Sequence, residues 1–222
     1  MKIITAGDKK FKKIIELSVK NAKNFGYPII IYDLGELGFG RKYDVNKENF
    51  LRKNEGKTPI SCEYKPSMIR HCLDKAKEGE TFVYLDGDAY ILQNIDELET
   101  NDYDIAVTLR TIPEIKTYGH KLYMGAINAG VIILRKTEKT IVFLKRWANQ
   151  IGADDSDQLV LNKILKNHID IDKIGETVER DGLKVKLLTT KIYNNYYSIS
   201  KDELPKVKIR HLKGNNKNNM LI

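Results

Sequence analysis

The opening of the chain reads as a strand, a helix and a second strand, and this order limits the possible folds more than any other feature. Residues 2–6 are rich in Ile and Thr, and Asp8 is suited to cap the start of a helix. Between Phe11 and Phe25 apolar residues recur at helical spacing with lysines on the other face, and a β-branched run follows at residues 29–32. Such a unit predicts a parallel, buried sheet with a right-handed crossover.

The rest of the chain continues to alternate between strands and helices. Apolar runs predict four further strands, at residues 81–85, 104–109, 128–134 and 207–210. Helical periodicity predicts three helices, which begin at Pro66, Thr137 and Asp157. Residues 180–183 have the composition of a hairpin turn, and the aperiodic residues 110–124 are predicted to form a mobile loop, a candidate lid.

These elements predict a single α/β domain over residues 1–222, either complete or as a module of a longer protein. We expect a central, mostly parallel sheet flanked by helices, with a small antiparallel element late in the chain. The turn at residues 180–183 is the main signal for that antiparallel element.

The composition is that of an ordinary globular protein and excludes several classes. Hydrophobic residues make up 41% of the 222 residues and charged residues 31%, which argues against disorder. No apolar run approaches the roughly 20 residues of a membrane-spanning helix. The N-terminus lacks a signal-peptide pattern, so a cytoplasmic protein is expected. The two cysteines, Cys62 and Cys72, form no ligand cluster.

The chain carries an excess of positive charge that composition alone does not explain. Lys and Arg number 38 and Asp and Glu number 30, which gives a formal net charge of +8. Nucleic acid, a membrane surface or an anionic substrate would account for it, and so would a lysine-rich solvated surface. A nucleic-acid-binding module would show interleaved basic and aromatic residues or a known motif. Neither is found, so no nucleic-acid partner is expected, and a basic nucleic-acid-binding module is kept only as a distant alternative. Peripheral membrane contact stays open.

The sharpest local feature is a pair of aspartates at the end of an apolar strand. Asp86 and Asp88 directly follow residues 81–85, and Gly87 between them would let a ligand approach the backbone. Ligands bind at the carboxyl ends of strands in open α/β sheets. Two neighbouring carboxylates repel each other, and Mg²⁺ or Mn²⁺ relieves that repulsion and usually holds substrate phosphates as well. This segment therefore predicts a metal and phosphate site.

Two other enzyme classes also place acidic or phosphate-binding groups after a strand. A phosphatase of the haloacid dehalogenase type would use the first aspartate as a nucleophile, and residues 152–157 resemble the later acidic motif of that class. That motif should follow a buried strand, whereas residues 143–150 have helical periodicity. A nucleotidyltransferase would need a glycine-rich loop after the first strand, and residues 5–10 are too poor in glycine.

Four short motifs, in order along the chain, resemble those of one enzyme family. They are Leu85-Asp86-Gly87-Asp88, Asn128-Ala129-Gly130-Val131, the Asp157-Gln158 start of a helix, and the HxxGxxK pattern from His211 through Gly214 to Lys217. In these the chain resembles the GT-A-fold glycosyltransferases, in particular the glycogenin and bacterial lipopolysaccharide galactosyltransferase type. The resemblance covers essentially the whole chain, and it implies a GT-A, Rossmann-like fold. The chain departs from the family after Lys217, where two asparagines stand in place of the frequent Pro-Trp.

The resemblance implies roles for the motif residues. Asp86, Asp88 and His211 would bind the metal, and Mn²⁺ is favoured over Mg²⁺ because imidazole is more acceptable to Mn²⁺. The other histidines have no carboxylate neighbours in the sequence and are predicted to lie at the surface: His71, His120 and His168. The donor nucleotide and its diphosphate would be bound by a larger set of residues, namely Thr5, Ala6, Gly7, Asp8, Asp33, Lys65, Asp86, Gly87, Gly214 and Lys217.

Three further residues would act on the sugars: Asn128, Asp157 and Gln158. The implied reaction transfers a hexose from a nucleoside diphosphate sugar, with UDP as the expected nucleotide, to a hydroxyl group of a carbohydrate or glycoconjugate acceptor. Gln158 in place of a carboxylate favours retention of the anomeric configuration. An inverting enzyme would need a general base, for which the candidates are Asp154, Asp155 and Asp157. Two plainer readings stay open: Asp157 as a helix N-cap and Asn128 as a turn residue.

Overall fold

The fold is seen in a computed structural model, which describes residues 1–42, 61–117, 125–151, 156–197 and 202–212. The strands are β1 (Lys2–Asp8), β2 (Ile29–Gly35), β3 (Arg41–Lys42), β4 (Thr81–Leu85), β5 (Ala89–Ile91), β6 (Ile105–Leu109), β7 (Ile127–Arg135), β8 (Thr177–Arg180), β9 (Leu183–Thr189) and β10 (Ile209–His211). The helices are α1 (Lys12–Asn24), α2 (Ser61–Leu73), α3 (Ile112–Thr117), α4 (Glu138–Gln150), α5 (Asp157–Leu165) and α6 (Thr190–Tyr193).

The strands form one large sheet and one small one. The large sheet has eight strands in the order β3-β2-β1-β4-β7-β6-β9-β8. Its pairs β1–β2, β1–β4, β2–β3 and β6–β9 are parallel, whereas β7 and β8 run antiparallel to their neighbours. Strands β5 and β10 form a separate antiparallel pair. The predicted α/β fold is confirmed, with the hairpin β8–β9 and strand β10 as its late antiparallel parts. Strand β7, in the middle of the large sheet, runs antiparallel to both neighbours, which the sequence does not predict.

The two faces of the large sheet bury different cores. Phe82 and Tyr84 of β4 pack in a cluster with α2, α4 and α5, whose largest buried side chain is Trp147. Val83 and Leu85 of the same strand pack on the opposite face with residues of β5, β10 and α1. This alternation along one strand follows from the two-residue period of β structure. A strand buried on both faces explains why residues 81–85 read as an unbroken apolar run.

The predicted start of α2 is wrong. The helix begins at Ser61, and Pro66 lies inside it. Proline is frequent at the first helical position, where its missing N–H costs no hydrogen bond, and this preference placed the boundary too late. Burial of Met68, Ile69 and Leu73 in the core holds the helix together, and this tertiary packing outweighs the local cost of the proline.

Two other expectations need correction. Residues 112–117 form helix α3 rather than a loop, while residues 118–124 lie outside the described ranges. His168 is buried rather than at the surface. Its Nε2 lies 3.1 Å from the carbonyl oxygen of Arg180, so the β8–β9 turn covers the ring. Within the described ranges, none of the helices combines the length and apolar character that a bilayer-spanning segment needs.

Candidate active site

Three neighbouring strands end at one edge of the large sheet and carry acidic residues there. In the parallel register Gly7 of β1 lies opposite Asp33 of β2, and Thr5 of β1 lies opposite Leu85 of β4. Asp86 therefore follows β4 beside the end of β1. The carboxyl ends of neighbouring parallel strands lie at the same edge of a sheet, so residues that directly follow these strands come together there.

The residues predicted to bind the nucleotide lie along this edge. Thr5, Ala6 and Gly7 are buried in β1. Asp8 accepts a hydrogen bond of 2.8 Å from the Lys10 N–H, which confirms it as a cap, here of a short 3₁₀ turn that leads into α1. Asp33 accepts hydrogen bonds from two backbone N–H groups of the following loop, those of Gly35 and Leu37.

Gly87 brings the Asp86–Asp88 turn against the end of β1. A Cβ atom at Gly87 would lie 2.6 Å from the carbonyl oxygen of Ala6, a distance that no side chain can occupy. The glycine is therefore needed for this contact, and it sets the two aspartates beside the residues at the end of β1.

A β-bulge in β7 releases peptide groups at the same edge from pairing with β6. The register of β6 with β7 shifts at residues 107–108, and residues 129–131 of β7 consequently have no pairing partner on β6. Ala129 uses its peptide groups elsewhere. Its N–H donates to Oε1 of Gln158 at 3.2 Å, and its carbonyl accepts from Nζ of Lys65 at 3.0 Å. Bulges frequently re-aim residues beside active sites, and this one joins β7 to α2 and α5.

Lys65 lies at the centre of a buried ion-pair network. Its Nζ is 2.6 Å from Oδ2 of Asp157 and 3.0 Å from Oδ1 of Asp86, and it lies 5.1 Å from the centre of the Tyr84 ring. Only 3% of the Lys65 surface is exposed, so all three interactions act in a region of low dielectric constant. The ammonium group thus holds two predicted site residues from different elements in one arrangement.

Asp86, Asp88 and His211 form a group that could hold a divalent metal ion. One ligand atom from each lies within 4.8 Å of the other two. In the structure Nε2 of His211 is 2.9 Å from Oδ1 of Asp88 and 3.9 Å from Oδ2 of Asp86. Two carboxylates and one imidazole suit Mn²⁺.

Gly130 makes room for the imidazole of that group. A Cβ atom at Gly130 would lie 2.2 Å from Cε1 of His211 and 2.5 Å from its Nδ1. Because the glycine leaves this space free, the histidine ring packs against β7 at this position and its Nε2 reaches the aspartates. The residues present therefore fit a metal ion both in chemistry and in space.

The comparison with protein-family models decides the family. Residues 41–218 match the model of the nucleotide-diphospho-sugar transferases. The chain belongs to this family. The transferase is therefore a glycosyltransferase, and of the alternatives that the sequence left open, the phosphatase and the nucleic-acid-binding module are set aside. Membership implies a nucleotide-sugar donor and an acceptor.

Solved structures of glycosyltransferases share the fold of this transferase. The galactosyltransferase LgtC, in complex with donor and acceptor sugar analogues, is 14% identical with a TM-score of 0.53, over 97% of this chain and 88% of that chain. A glycosyltransferase involved in the glycosylation of the major capsid of PBCV-1 is 11% identical with a TM-score of 0.56, over the full length of both chains. GlyE of Streptococcus pneumoniae TIGR4 is 15% identical with a TM-score of 0.52, over 99% of this chain and 56% of that chain. A search of curated proteins gives no significant match.

Two of the predicted sugar-binding residues of the transferase, Asp157 and Gln158, lie at the start of α5. The N-cap of α5 is Ser156, whose Oγ accepts from the Leu159 N–H at 3.1 Å. Asp157 is therefore not the cap, and its carboxylate is available to Lys65. The indole N–H of Trp147 donates to the Asp157 carbonyl at 2.9 Å, which ties the start of α5 to α4.

Asn128 is a buried strand residue rather than a turn residue. Its Oδ1 accepts a hydrogen bond from the Gly130 N–H at 3.1 Å. Its Nδ2 has no hydrogen-bond partner among the described residues, although the residue is fully buried. An unsatisfied buried amide costs about 1–3 kcal/mol, so this NH₂ group is suited to donate a hydrogen bond to an oxygen atom of a ligand.

A second polar cluster lies beside the site, where β6 and β9 end. Glu114 of α3 accepts a 2.6 Å hydrogen bond from Oγ1 of Thr190 and another from the Thr111 N–H. Burial alone would raise the pKa of the Glu114 carboxyl, but hydrogen bonds from Thr190, Tyr197 and Thr111 outweigh burial and lower it. Burial, together with hydrogen bonds to Glu114 and Tyr196, raises the pKa of Tyr197 above its usual value.

Several predicted residues fall outside the described ranges, and some contacts were not foreseen. Gly214 and Lys217, and the alternative bases Asp154 and Asp155, are not described. Asn194, which hydrogen-bonds His211, carries no local signal in the sequence because its partner lies far along the chain. The same is true of the space that Gly130 provides for the His211 ring, since the motif names the glycine but not its neighbour.

Proposed function

We propose that this protein is a metal-dependent enzyme that transfers a hexose from a UDP-linked sugar to a hydroxyl group of a carbohydrate or glycoconjugate acceptor. The observation that carries the proposal is the meeting of Asp86, Asp88 and His211 at one sheet edge, beside Asp157 at the start of α5. A metal site for the diphosphate, joined through Lys65 to a helix start that would bind the sugar, would serve transfer from a nucleoside diphosphate sugar.

Asp86, Asp88 and His211 would hold Mn²⁺, or Mg²⁺ as the second choice, and the bound ion would offset the negative charge of the leaving diphosphate. Lys217, in the HxxGxxK pattern, would add a positive charge to the same diphosphate, and Gly214 would allow close backbone approach. Asp86 would also contact the ribose. Its side chain is about a third exposed, which leaves it accessible to a ligand.

The nucleotide would lie along the ends of β1 and β2. Thr5, Ala6, Gly7, Asp8 and Asp33 would form its binding edge, and Gly87 would bring the diphosphate close to the backbone. The pairing of β1 with β2 and β4 supports this arrangement because it lines these residues up beside Asp86. Lys65 would serve donor binding through the two carboxylates that it orients.

The transferred sugar would be held by Asn128, Asp157 and Gln158. Nδ2 of Asn128 would donate to a sugar oxygen, and the Lys65-paired carboxylate of Asp157 would accept from a sugar hydroxyl. The amide of Gln158, which Ala129 orients, would lie near the anomeric carbon. An amide is a poor nucleophile and a poor base, so these residues favour retention, with the leaving diphosphate accepting the acceptor's proton.

The inverting alternative would use an aspartate as a general base. Asp157 is the candidate within the described ranges, and its carboxylate is already engaged in an ion pair of 2.6 Å with Lys65. Proton NMR of the product's anomeric centre distinguishes the two outcomes. Retention is expected, and a product of inverted configuration would contradict it.

Calorimetric titration tests the donor directly. UDP, GDP, dTDP and CMP are each titrated with and without Mn²⁺, and UDP is expected to bind most tightly and only weakly without the metal. Metal-dependent binding of a different nucleotide would change the proposed donor. If none of the four shows metal-dependent binding, the proposed function is wrong.

A further inference from the structure

The imidazole of His211 makes a second contact, on the side away from the aspartates. Its Nδ1 lies 2.8 Å from Oδ1 of Asn194, and both residues are almost completely buried. Asn194 belongs to none of the four motifs. It directly follows helix α6, which itself directly follows β9. The direction of this hydrogen bond decides which nitrogen of the ring carries a proton, because a neutral imidazole has one donor and one acceptor nitrogen.

The surroundings of Asn194 determine how its amide is oriented. Nδ2 lies 2.8 Å from Oγ1 of Thr108 and 3.4 Å from the carbonyl oxygen of Asn128. The Thr108 hydroxyl itself donates to the same Asn128 carbonyl at 3.0 Å. Since a carbonyl oxygen can only accept, the NH₂ end of Asn194 must face it, and the amide oxygen must face His211.

We propose that Asn194 is a positioning residue that keeps the proton of His211 on Nδ1 and so leaves the Nε2 lone pair directed at Asp86 and Asp88 for a metal ion. An amide oxygen cannot donate, so Nδ1 must carry the hydrogen of this bond. Without Asn194, a neutral ring would gain most by placing its proton on Nε2 and donating to Asp88 at 2.9 Å, which would block the metal-binding nitrogen. Partners of this kind fix the tautomer of metal-binding histidines.

The inference rests on the proposed function, since it assigns a task to Asn194 at the proposed metal site. It also extends that site. Through Thr108 and the Asn128 carbonyl, the orientation of the metal-binding imidazole depends on the same stretch of β7 that carries the proposed sugar-binding amide.

Two measurements test the inference with the full chain. Binding of Mn²⁺ is followed by electron paramagnetic resonance of the free ion, in the presence of saturating UDP. We expect Asn194→Leu to weaken the Mn²⁺ affinity roughly 10- to 100-fold, as is typical for partners of metal ligands. Asn195→Leu is the matched control, because the side-chain amide of this neighbouring buried residue bonds Arg210 and the Lys191 carbonyl. Its hydrogen bond with the His211 N–H is made by the backbone carbonyl, which the substitution keeps. The control is expected to bind Mn²⁺ like the wild type.

The second measurement reads the tautomer without metal. Nitrogen-15 NMR of histidine-labelled protein, at an alkaline pH where an ordinary imidazole is neutral, is expected to show a protonated Nδ1 on His211 in the wild type and a bare Nδ1 in Asn194→Leu. Asn194→Asp retains an acceptor for the Nδ1 proton and is expected to restore both the tautomer and the Mn²⁺ affinity.

The outcomes separate this inference from the proposed function. An Asn194→Leu variant with unchanged Mn²⁺ affinity or a still protonated Nδ1 would overturn the role of Asn194 alone, as would an Asn194→Asp variant that fails to restore the affinity. A wild-type protein that binds no Mn²⁺ in the presence of UDP would instead overturn the proposed metal site.

Discussion

At the scale of single residues, the strongest electrostatic feature is the Lys65 ammonium group between Asp86 and Asp157. The Asp157 side chain is 4% exposed and that of Asp86 30%. Solvent can therefore compensate Asp86 if the lysine is removed, but hardly Asp157. An uncompensated buried charge is far more costly than the pair itself is stabilising, so the two aspartates should respond differently to the loss of Lys65.

Lys65→Met should lower the free energy of unfolding by about 3–5 kcal/mol, the usual cost of leaving a buried charge without its partner. Urea denaturation of the metal-free protein near neutral pH measures it. Adding Asp157→Asn to Lys65→Met should recover a large part of the loss, because it removes the isolated charge, whereas adding Asp86→Asn should recover little. Equal recovery by both would show that Asp157 is not the group that depends on Lys65.

Gly130→Ala should displace the His211 ring, because the new Cβ would lie 2.2 Å from Cε1 of the ring. We expect the variant to fold with reduced stability and to lose most of its Mn²⁺ affinity, measured by isothermal titration. The stability cost should largely vanish when Gly130→Ala is combined with His211→Ala, since the colliding ring is then absent. An undiminished cost in the double variant would assign the strain to another neighbour.

At the scale of elements, local patterns predict strands and helices well where one element determines its own boundaries. Strand β4 has the predicted bounds because an unbroken apolar run marks it. Helix α5 begins at the predicted residue because a polar-to-apolar change at Asp157 marks its start. The same patterns missed the start of α2, the burial of His168 and the shift of register in β7. Each of these depends on packing against an element distant in sequence, such as the β8–β9 turn over His168.

The candidate site shows the same difference between features that motifs predict and features that depend on contacts between distant elements. The resemblance of the motifs to a known family was sufficient to propose Asp86, Asp88 and His211, and the structure brings their ligand atoms together. The ion pairs of Lys65 and the hydrogen bond from His211 to Asn194 join elements that lie apart in the chain. Such contacts are set by the sheet order, and no local pattern encodes them.

Helices α3 and α6 are joined by Glu114 and Thr190, and this link should respond to pH. The folded-state pKa of Glu114 lies below the usual value of 4.5. Its stabilising contribution is therefore fully present above about pH 4.5 and is lost as the pH falls through the lower, folded-state value. Glu114→Gln should be less stable than the wild type by about 1.5–3 kcal/mol near neutral pH, the range for hydrogen bonds to a charged group.

Urea denaturation over a series of pH values tests this link. The difference between the wild type and Glu114→Gln should shrink steadily in acid. A difference that stays constant down to about pH 2 would mean that the carboxylate is not stabilised by its partners, contrary to the lowered pKa.

At the scale of the whole molecule, the sheet topology brings the site residues to one edge, and the excess positive charge lies mainly on other parts of the surface. Strands β1, β2, β4, β6 and β9 run in one direction, and β7 runs against them, so their carboxyl ends and the start of β7 share one edge. The proposed metal site there is acidic. The net charge of +8 therefore comes mainly from elsewhere, including the lysines of α1, which lie on its solvent-facing side.

Ligand binding should stabilise the whole transferase. With UDP about 100-fold above its dissociation constant, measured at a fixed concentration of Mn²⁺, the free energy of unfolding should rise by about 2.7 kcal/mol relative to the protein with Mn²⁺ alone. For a chain of this length the melting temperature should increase by roughly 5–11 °C, as differential scanning fluorimetry would show. Asp88→Asn should abolish the Mn²⁺-dependent part of the increase.

Asp74→Asn is the matched control for this experiment, because Asp74 lies in an exposed ion pair with Arg70 away from the sheet edge. It should respond to UDP and Mn²⁺ like the wild type. An equal response from Asp88→Asn would remove Asp88 from the metal site.

The bulge in β7 affects how this site can be dissected. Ala129 contacts Gln158 and Lys65 through peptide atoms alone, so replacing its methyl group leaves both contacts in place. Among the standard amino acids, proline alone lacks the N–H, and it would also distort the strand. Semisynthesis can remove the N–H more cleanly, by exchanging the peptide bond before residue 129 for an ester. This support for the Gln158 amide is in this way hidden from side-chain scanning and open to backbone chemistry.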